Sequence, residues 1–212
     1  MAETPVVSIR GYVETFLPED QVLVAARARA TDLGCRPLGA AAGATLRFLA
    51  TLLAARAVVE VGTGTGVSGL YLLRGMRPTG VLTTVDIEPE HSRAARRAFA
   101  EDGVPTHRAR LINGAALEVL PRLTDAAYDL VFCATVGRDF NDYLEEALRL
   151  LRPGGVVVFG NALWRDRVAD PSARDPDTVA VRDLGRIVRD RADLVPVLLP
   201  VSDGLLAAAY QP

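Results

Sequence analysis

The stretch "VVEVGTGTGVSG", residues 58–69, joins a short apolar run to a set of closely spaced glycines. Val58 to Val61 suits a short buried strand, and Val67 to Leu73 suits a helix. The glycines between them permit a tight turn and let a ligand approach bare backbone. We therefore expect a strand, a glycine loop and a helix, the unit with which many ligand-binding α/β sheets begin.

The same alternation continues along the chain. Further strands are predicted at residues 81–86, 110–112, 130–133 and 156–159, and helices at residues 18–33, 40–55, 89–100, 117–123, 140–151 and 178–189. The runs 194–199 and 205–210 are joined by "PVSDG", which is too short for a parallel crossover, so they must form an antiparallel hairpin. The pattern predicts a doubly wound, Rossmann-like α/β sheet in a single domain, residues 1–212, with a helical extension (1–56) before an α/β core (57–212).

Composition narrows the classes of function. The 212 residues carry a net charge of −2, which gives no electrostatic reason to expect nucleic acid or an anionic membrane as a partner. No apolar run reaches the length of a membrane span, and the N-terminus does not resemble a signal peptide, so we expect a cytoplasmic protein. All 24 basic residues are arginine, which disfavours Schiff-base and P-loop chemistry.

Two interpretations of the glycine loop compete. Counted from Gly64, it satisfies the dinucleotide pattern G-x-G-x-x-G, and Asp86 follows at a suitable distance for a ribose. Counted from Glu60, it is E-x-G-x-G-x-G, in which the carboxylate suits a cationic amino-acid head group and would repel a pyrophosphate. The second frame favours S-adenosylmethionine. A nicotinamide oxidoreductase and a turn without ligand remain alternatives, as does a helix-capping role for Asp86.

Several segments in order extend the second interpretation: "LTTVDIEPEH", "ALEVLP", "YDLVF", "YLEEALRLLRPGGVVV", "NALWRDRVADP" and "LLPVSDGLLAA". Together with the glycine loop, they resemble the class I S-adenosylmethionine-dependent O-methyltransferases of the caffeoyl-CoA and catechol type, in particular their bacterial branch. The resemblance implies a seven-stranded sheet whose last strand is antiparallel. It also implies S-adenosylmethionine as cofactor, a small-molecule hydroxyl as acceptor, and a homodimer.

The resemblance also assigns cofactor contacts. Glu60 would hold the methionine ammonium, Ser68 the methionine carboxylate and Asp86 the ribose, while Ile87 would pack on the adenine. For Tyr143, a plain role in the core is an equal alternative. The implied cofactor-binding residues are Leu38, Glu60, Gly62, Thr63, Gly64, Ser68, Asp86, Ile87, Ala115, Ala134 and Tyr143.

The chain departs from the family where a metal is expected. Two family aspartates and a lysine correspond here to Ala134, Val136 and Gly137, and the family's Asp-Asn pair corresponds to Gly160 and Asn161. One neutral amide does not hold Mg²⁺, so we expect no metal. No catalytic residue is identified, and Asn161 and Asp139 are only weak candidates, since Asp139 is expected to cap the next helix. Asn161 and Trp164 are the candidate acceptor-binding residues.

The sequence thus predicts an S-adenosylmethionine-dependent O-methyltransferase that acts on a phenolic small molecule without a metal. The alternative is an inactive homologue that binds the cofactor and has a structural or regulatory role. Arg138, Arg165 and Arg167 are either anion-binding or simply solvated. His91 and His107 both lie on the wrong elements to serve as a base for the acceptor.

Overall fold

The computed structural model describes residues 8–134 and 139–212. The strands are β1 (Ala57–Val61), β2 (Val81–Asp86), β3 (Ala109–Asn113), β4 (Tyr128–Cys133), β5 (Leu151–Gly160), β6 (Leu194–Leu199) and β7 (Leu205–Tyr210). They form one seven-stranded sheet in the order β3-β2-β1-β4-β5-β7-β6. The first five strands are parallel, and β7 is antiparallel to both β5 and β6. The predicted fold class and the terminal hairpin are confirmed.

Eight α-helices lie in the described residues. They are α1 (Ile9–Thr15), α2 (Gln21–Asp32), α3 (Ala40–Leu52), α4 (Val67–Gly75), α5 (Pro89–Glu101), α6 (Ala116–Val119), α7 (Phe140–Leu150) and α8 (Pro176–Asp190). Short 3-10 helices occur at Thr106–Arg108, Leu120–Arg122 and Arg167–Ala169. None of the helices in the described ranges is long and apolar enough to cross a membrane.

Capping side chains explain where two helices begin. The Asp20 carboxylate accepts a hydrogen bond from the Leu23 amide at 3.1 Å, so α2 starts after Asp20 and not at Pro18 as predicted. Asp175 likewise accepts from the Thr178 amide at 3.0 Å. With Pro176 in the first turn, this places the start of α8 two residues before the predicted boundary.

Two further differences from prediction have local causes. Helix α1 was not predicted, and none of its residues is buried, so it leaves no strong pattern of buried apolar positions. The segment "RPGG", residues 152–155, was expected to end a helix. It lies instead within β5, where the ladder to β4 shifts register between Tyr128 and Leu130. A local irregularity of this kind allows glycine and proline inside a strand.

The sheet is buried on both faces by helices. Val58, Phe132 and Val158 pack into a core shared with residues of α2 to α5, whereas Val59 and Val131 pack into a core shared with residues of α7 and α8. This alternation follows the two-residue period of a strand. The strand order reverses between β1 and β4, and in open α/β sheets such a reversal places a ligand crevice at the carboxyl ends of the strands.

Candidate active site

A cavity of about 430 Å³ opens at the carboxyl ends of β1, β4 and β5. Its volume lies within the range of small-molecule sites. Elements from distant parts of the chain meet there: the segment before α3, the glycine loop, the end of β5 and the β6–β7 connection. Eight of the predicted site residues line it, namely Leu38, Gly62, Thr63, Gly64, Ser68, Ala134, Asn161 and Trp164.

The glycine loop forms one wall of the cavity. Gly62, Gly64 and Gly66 have φ values of 93°, 50° and 87°, a region that disfavours residues with a Cβ. A Cβ built on Gly64 would meet nothing within 4 Å, whereas one on Gly66 would lie 3.0 Å from the Cα of Ala95. Gly64 therefore leaves open space beside the backbone, and Gly66 lets α4 pack closely on α5.

Ser68 stands in the first turn of α4 and is almost completely buried at the cavity wall. The amides at the start of a helix carry partial positive charge and have no partner within the helix. A hydroxyl and these amides together suit an anionic group such as a carboxylate.

Asp86, the last residue of β2, is held next to the glycine loop. Its Oδ2 accepts a hydrogen bond from the Gly64 amide at 2.8 Å, and its Oδ1 accepts one from the Glu88 amide at 2.9 Å. The Nδ1 atom of His91 lies 3.2 Å from Oδ1. Glu88, and not Asp86, occupies the N-cap position of α5. The carboxylate is thus fixed in orientation beside the loop, as a ribose-binding group must be.

The surface beyond Asp86 belongs to the predicted adenine end and lies outside the cavity. Ile87 is 66% exposed, so its apolar side chain lies open at this edge of the sheet. The Asn113 side-chain amide donates to the carbonyls of Asp86 and Ile87, each at 3.0 Å. Ala115 occupies the N-cap position of α6 on the neighbouring strand connection.

Glu60 does not line the cavity; it is completely buried beneath the glycine loop. Its Oε2 accepts a hydrogen bond from the Thr84 hydroxyl at 2.6 Å, and Thr84 in turn lies 2.6 Å from the Thr63 hydroxyl. Since Thr84 donates its proton to Glu60, Thr63 must donate to Thr84. The Thr63 hydroxyl, which lines the cavity, is thus joined to Glu60 through the Thr84 hydroxyl.

The environment of Glu60 opposes its ionisation. Burial raises the pKa of the carboxyl to about 7. Its Oε1 has no hydrogen-bond partner among the residues that the structure describes. The Ser68 hydroxyl lies near the Glu60 carboxyl and lowers its pKa, which favours the charged form of Glu60. The two groups do not have the geometry of a hydrogen bond. A buried, incompletely paired carboxylate of this kind would be stabilised by a nearby cation.

The positions of the family's metal ligands do not fit a divalent cation here. Ala134 and Gly160 offer no side-chain donor, and the Asn161 side-chain amide donates to the Ala134 carbonyl at 3.4 Å. Val136 and Gly137 lie outside the described residues. In residues 8–134 and 139–212, no group of three or more His, Cys, Asp or Glu side chains could hold a metal.

Other predicted candidates lie away from the cavity. Asp139 is exposed at the N-cap position of α7, as expected, although its side chain makes no capping hydrogen bond. Tyr143 is half-buried on α7 against the core shared with α8. Arg167 pairs with Asp175, and Arg138 lies outside the described residues. Arg165, for which anion binding and plain solvation were both left open, is an exception and lines the cavity.

The predicted acceptor-binding residue Trp164 lies on a turn that the connection between β6 and β7 holds in place. Trp164 and Arg165 have φ values of 47° and 54°, which cost free energy for residues with side chains. The Asp203 carboxylate accepts from the Arg165 amide at 2.6 Å, and the Asp203 carbonyl accepts from the Leu163 amide at 2.8 Å. A Cβ on Gly204 would collide with Leu163, so glycine is required where the two loops meet.

Sequence reasoning missed the cavity positions of Arg36 and Asp203 and the contact of His91 with Asp86. Arg36 and Asp203 line the cavity, and His91 contacts Asp86. The motif "PVSDG" was used as a hairpin signal and as part of the resemblance, but its aspartate was not considered as a site residue. The contact between His91 and Asp86 spans 5 residues and depends on the orientation of the His91 side chain, which the sequence pattern does not give.

The fold and the site together define the class of protein. A seven-stranded mixed sheet carries a glycine loop after β1, a fixed carboxylate after β2 and a cavity beside them. This arrangement is that of the Rossmann-like methyltransferases. The chain belongs to the O-methyltransferase family, whose sequence model matches residues 18–210. The alternative of a nicotinamide oxidoreductase is therefore wrong.

Individual proteins agree with this assignment. A relative from Mycobacteroides abscessus, named as an O-methyltransferase, is 51% identical over 205 residues, which cover 97% of this chain and 95% of the relative. A crystal structure from Corynebacterium glutamicum superposes with a TM-score of 0.89 at 30% identity and covers 96% of each chain. The O-methyltransferase TomG from Streptomyces achromogenes, involved in tomaymycin synthesis and solved with S-adenosylmethionine, has a TM-score of 0.84 at 30% identity, with 95% and 94% coverage.

Proposed function

We propose that this protein transfers the methyl group of S-adenosylmethionine to a phenolic hydroxyl of a small molecule, without a metal ion. The observation that carries the proposal is the cavity, which joins the glycine loop and Ser68 to Asn161 and Trp164. At one end, the glycine loop and Ser68 suit the methionine part of the cofactor. At the other end, the Trp164 ring forms part of the wall. TomG, a similar protein, is an O-methyltransferase that binds S-adenosylmethionine.

The residues present fit the cofactor. Ser68 and the first amides of α4 suit the methionine carboxylate. Thr63, polarised through Thr84 by Glu60, suits the methionine ammonium. Asp86 suits the ribose hydroxyls, and the exposed face of Ile87 suits the adenine. When bound, the cofactor supplies an electrophilic methyl group on a positively charged sulfur.

The reaction itself is an in-line displacement. The acceptor oxygen forms a bond to the methyl carbon while the carbon–sulfur bond breaks, and the electron pair of that bond stays on sulfur as S-adenosylhomocysteine forms. The proton of the acceptor hydroxyl passes to solvent. Neither histidine lies among the described cavity residues, so orientation of an acidic acceptor carries the rate. A phenol, which ionises near pH ~10, meets this need better than an aliphatic alcohol.

Independence of a metal rests on the side chains at the three described family positions. Ala134, Gly160 and Asn161 together offer one neutral amide oxygen, whereas Mg²⁺ in proteins takes carboxylates or phosphates with water. The acceptor oxygen would then be positioned by the cavity walls instead of by a cation.

Turnover with and without chelator tests this proposal. S-adenosylhomocysteine formation should depend on a hydroxyaromatic acceptor and should be the same in EDTA and in millimolar Mg²⁺. A rate that EDTA abolishes and Mg²⁺ restores would show that a metal takes part. Cofactor binding without turnover of any acceptor would support the inactive homologue instead.

We also propose that the protein is a cytoplasmic homodimer with no nucleic-acid or membrane partner. Large apolar side chains are exposed on α1, at the C-cap that follows it and on α3, among them Ile9 at 84%, Phe16 at 65% and Leu52 at 70%. Exposed apolar side chains grouped on neighbouring helices favour burial against another protein surface. Light scattering should give about twice the chain mass of 22.6 kDa, and a monomer at micromolar concentration would contradict the dimer.

A further inference from the structure

We infer that the acceptor carries a carboxylate in addition to the hydroxyl that is methylated. The inference rests on the proposed function and specifies its substrate class. It derives from the charges on the cavity wall, where Arg36 and Arg165 are the cationic side chains among the described residues and Asp203 is the carboxylate.

Arg36 is an exposed residue at the cavity mouth, in the segment between α2 and α3. Its guanidinium has no carboxylate within ion-pair distance in residues 8–134 and 139–212. The nearest arginines in sequence differ: Arg27 pairs with Glu19 at 2.6 Å, and Arg29 pairs with Glu101 at 2.8 Å. Arg36 therefore brings an uncompensated positive charge to the site.

Arg165 lines the same cavity from the turn after β5. Its guanidinium carbon lies 5.8 Å from the centre of the Trp164 ring, within the range of a cation–π contact. The Asp203 carboxylate accepts from the Arg165 backbone amide and does not contact the guanidinium. The side chain thus lies against an aromatic surface, and its five N–H donors have no hydrogen-bond acceptor in residues 8–134 and 139–212.

The balance of charge favours an anion. Two arginines and one carboxylate line the described part of the cavity, and Asp203 already accepts a hydrogen bond from the Arg165 backbone amide. The planar guanidinium binds a carboxylate through two parallel hydrogen bonds and sheds water more readily than an ammonium. Trp164, Phe132 and Leu38 supply apolar surface for an aromatic ring. An aromatic acid with a free hydroxyl matches both properties.

A matched pair of ligands tests this inference. We would titrate 3,4-dihydroxybenzoate and the neutral 3,4-dihydroxybenzamide into protein saturated with S-adenosylhomocysteine, by calorimetry at low salt. The benzoate should bind about tenfold tighter or more, as expected for one charge-assisted hydrogen-bonded pair. The preference should shrink at high salt, because part of the site is exposed.

Single substitutions distinguish a specific effect of Arg36 and Arg165 from an effect of the protein's net charge. Arg165→Gln and Arg36→Gln should each reduce the preference for benzoate and leave the affinity for S-adenosylhomocysteine unchanged. Arg93→Gln, which removes a 72% exposed arginine on α5 away from the cavity, is the matched control and should keep the preference. If Arg93→Gln reduces it equally, net charge and not the cavity is responsible, and the inference is wrong.

The remaining outcomes are also decisive. Equal binding of benzoate and benzamide, or binding of neither to the S-adenosylhomocysteine complex, overturns the inference and leaves the proposed function standing. Failure of S-adenosylhomocysteine itself to bind would overturn the proposed function, so the two failures are distinguishable.

Discussion

The backbone amide of Gly64 donates a hydrogen bond to Asp86 Oδ2 at 2.8 Å and joins the loop after β1 to the end of β2. The two residues are 22 positions apart, and the contact depends on the positive φ of Gly64. It fixes both the loop that borders the cavity and the carboxylate that suits a ribose. The contact therefore couples local backbone geometry to the proposed cofactor site.

Replacement of Asp86 tests its double role. In Asp86→Ala, the loop loses its acceptor and a ribose loses its partner, so the dissociation constant for S-adenosylhomocysteine should rise about 10- to 100-fold. Calorimetry measures this directly. Asp183→Ala, which removes an exposed carboxylate on α8, is the control and should bind as the wild type does. Unchanged affinity in Asp86→Ala would contradict the ribose assignment.

Glu60 should make stability depend on pH. Burial raises its folded pKa to about 7, above the ordinary value of 4.5. Between these values the unfolded chain loses the proton while the folded chain keeps it. The free energy of unfolding should therefore fall as the pH rises from 4.5 to 7, by about 3 kcal/mol, and then level off.

Urea unfolding from pH 5 to pH 8 measures this dependence. Glu60→Gln resembles the protonated carboxyl and cannot ionise, so its stability should lack the fall that the wild type shows. Parallel curves for the two proteins would mean that Glu60 titrates normally.

The close approach of α3 to Tyr71 gives a prediction about packing. A Cβ on Gly43 would lie inside van der Waals contact of the Tyr71 ring, which is buried. Gly43→Ala should lower the free energy of unfolding by about 1–3 kcal/mol. At Gly185, in the interior of α8, a Cβ would meet nothing within 4 Å. Gly185→Ala should instead raise stability by about 0.5–1 kcal/mol, and a loss there would refute this comparison.

Asp203 is a positioning residue for the acceptor end. Asp203→Ala removes the acceptor of the Arg165 amide, so the strained turn should relax. We expect KM for the acceptor to rise about fivefold to tenfold, with the affinity for S-adenosylhomocysteine unchanged. Steady-state kinetics and calorimetry together separate these effects. Equal losses in both would indicate a general structural role for Asp203.

The parts of the fold that sequence predicted are those with local signals. The apolar run of β1, the glycines after it and the turn before β7 each have a pattern that can be recognised without tertiary information. Helix α1 has no such signal, because none of its residues is buried. Its placement depends on contacts between residues far apart in sequence. Arg10 and Asp166, for example, are 156 positions apart and form two hydrogen bonds from the guanidinium to the carboxylate, at 2.6 and 2.9 Å.

The candidate site divides in the same way. Asp86 and Ser68 follow strand and loop signals directly, and both were predicted. Arg36 lies between α2 and α3, and Asp203 lies between β6 and β7. They line the same cavity only because these two connections meet in the folded chain, so no spacing in the sequence identifies either residue. Glu60 was predicted to contact the cofactor, and the structure places Thr84 and Thr63 between Glu60 and the cavity.

Calorimetric titration of S-adenosylhomocysteine into the protein in EDTA is the most direct test of the account. The cavity, the glycine loop and Asp86 predict binding of one molecule per chain, with a dissociation constant in the micromolar range and no requirement for added metal. No binding at high micromolar concentrations of S-adenosylhomocysteine would contradict the central claim that this cavity is a methyltransferase cofactor site.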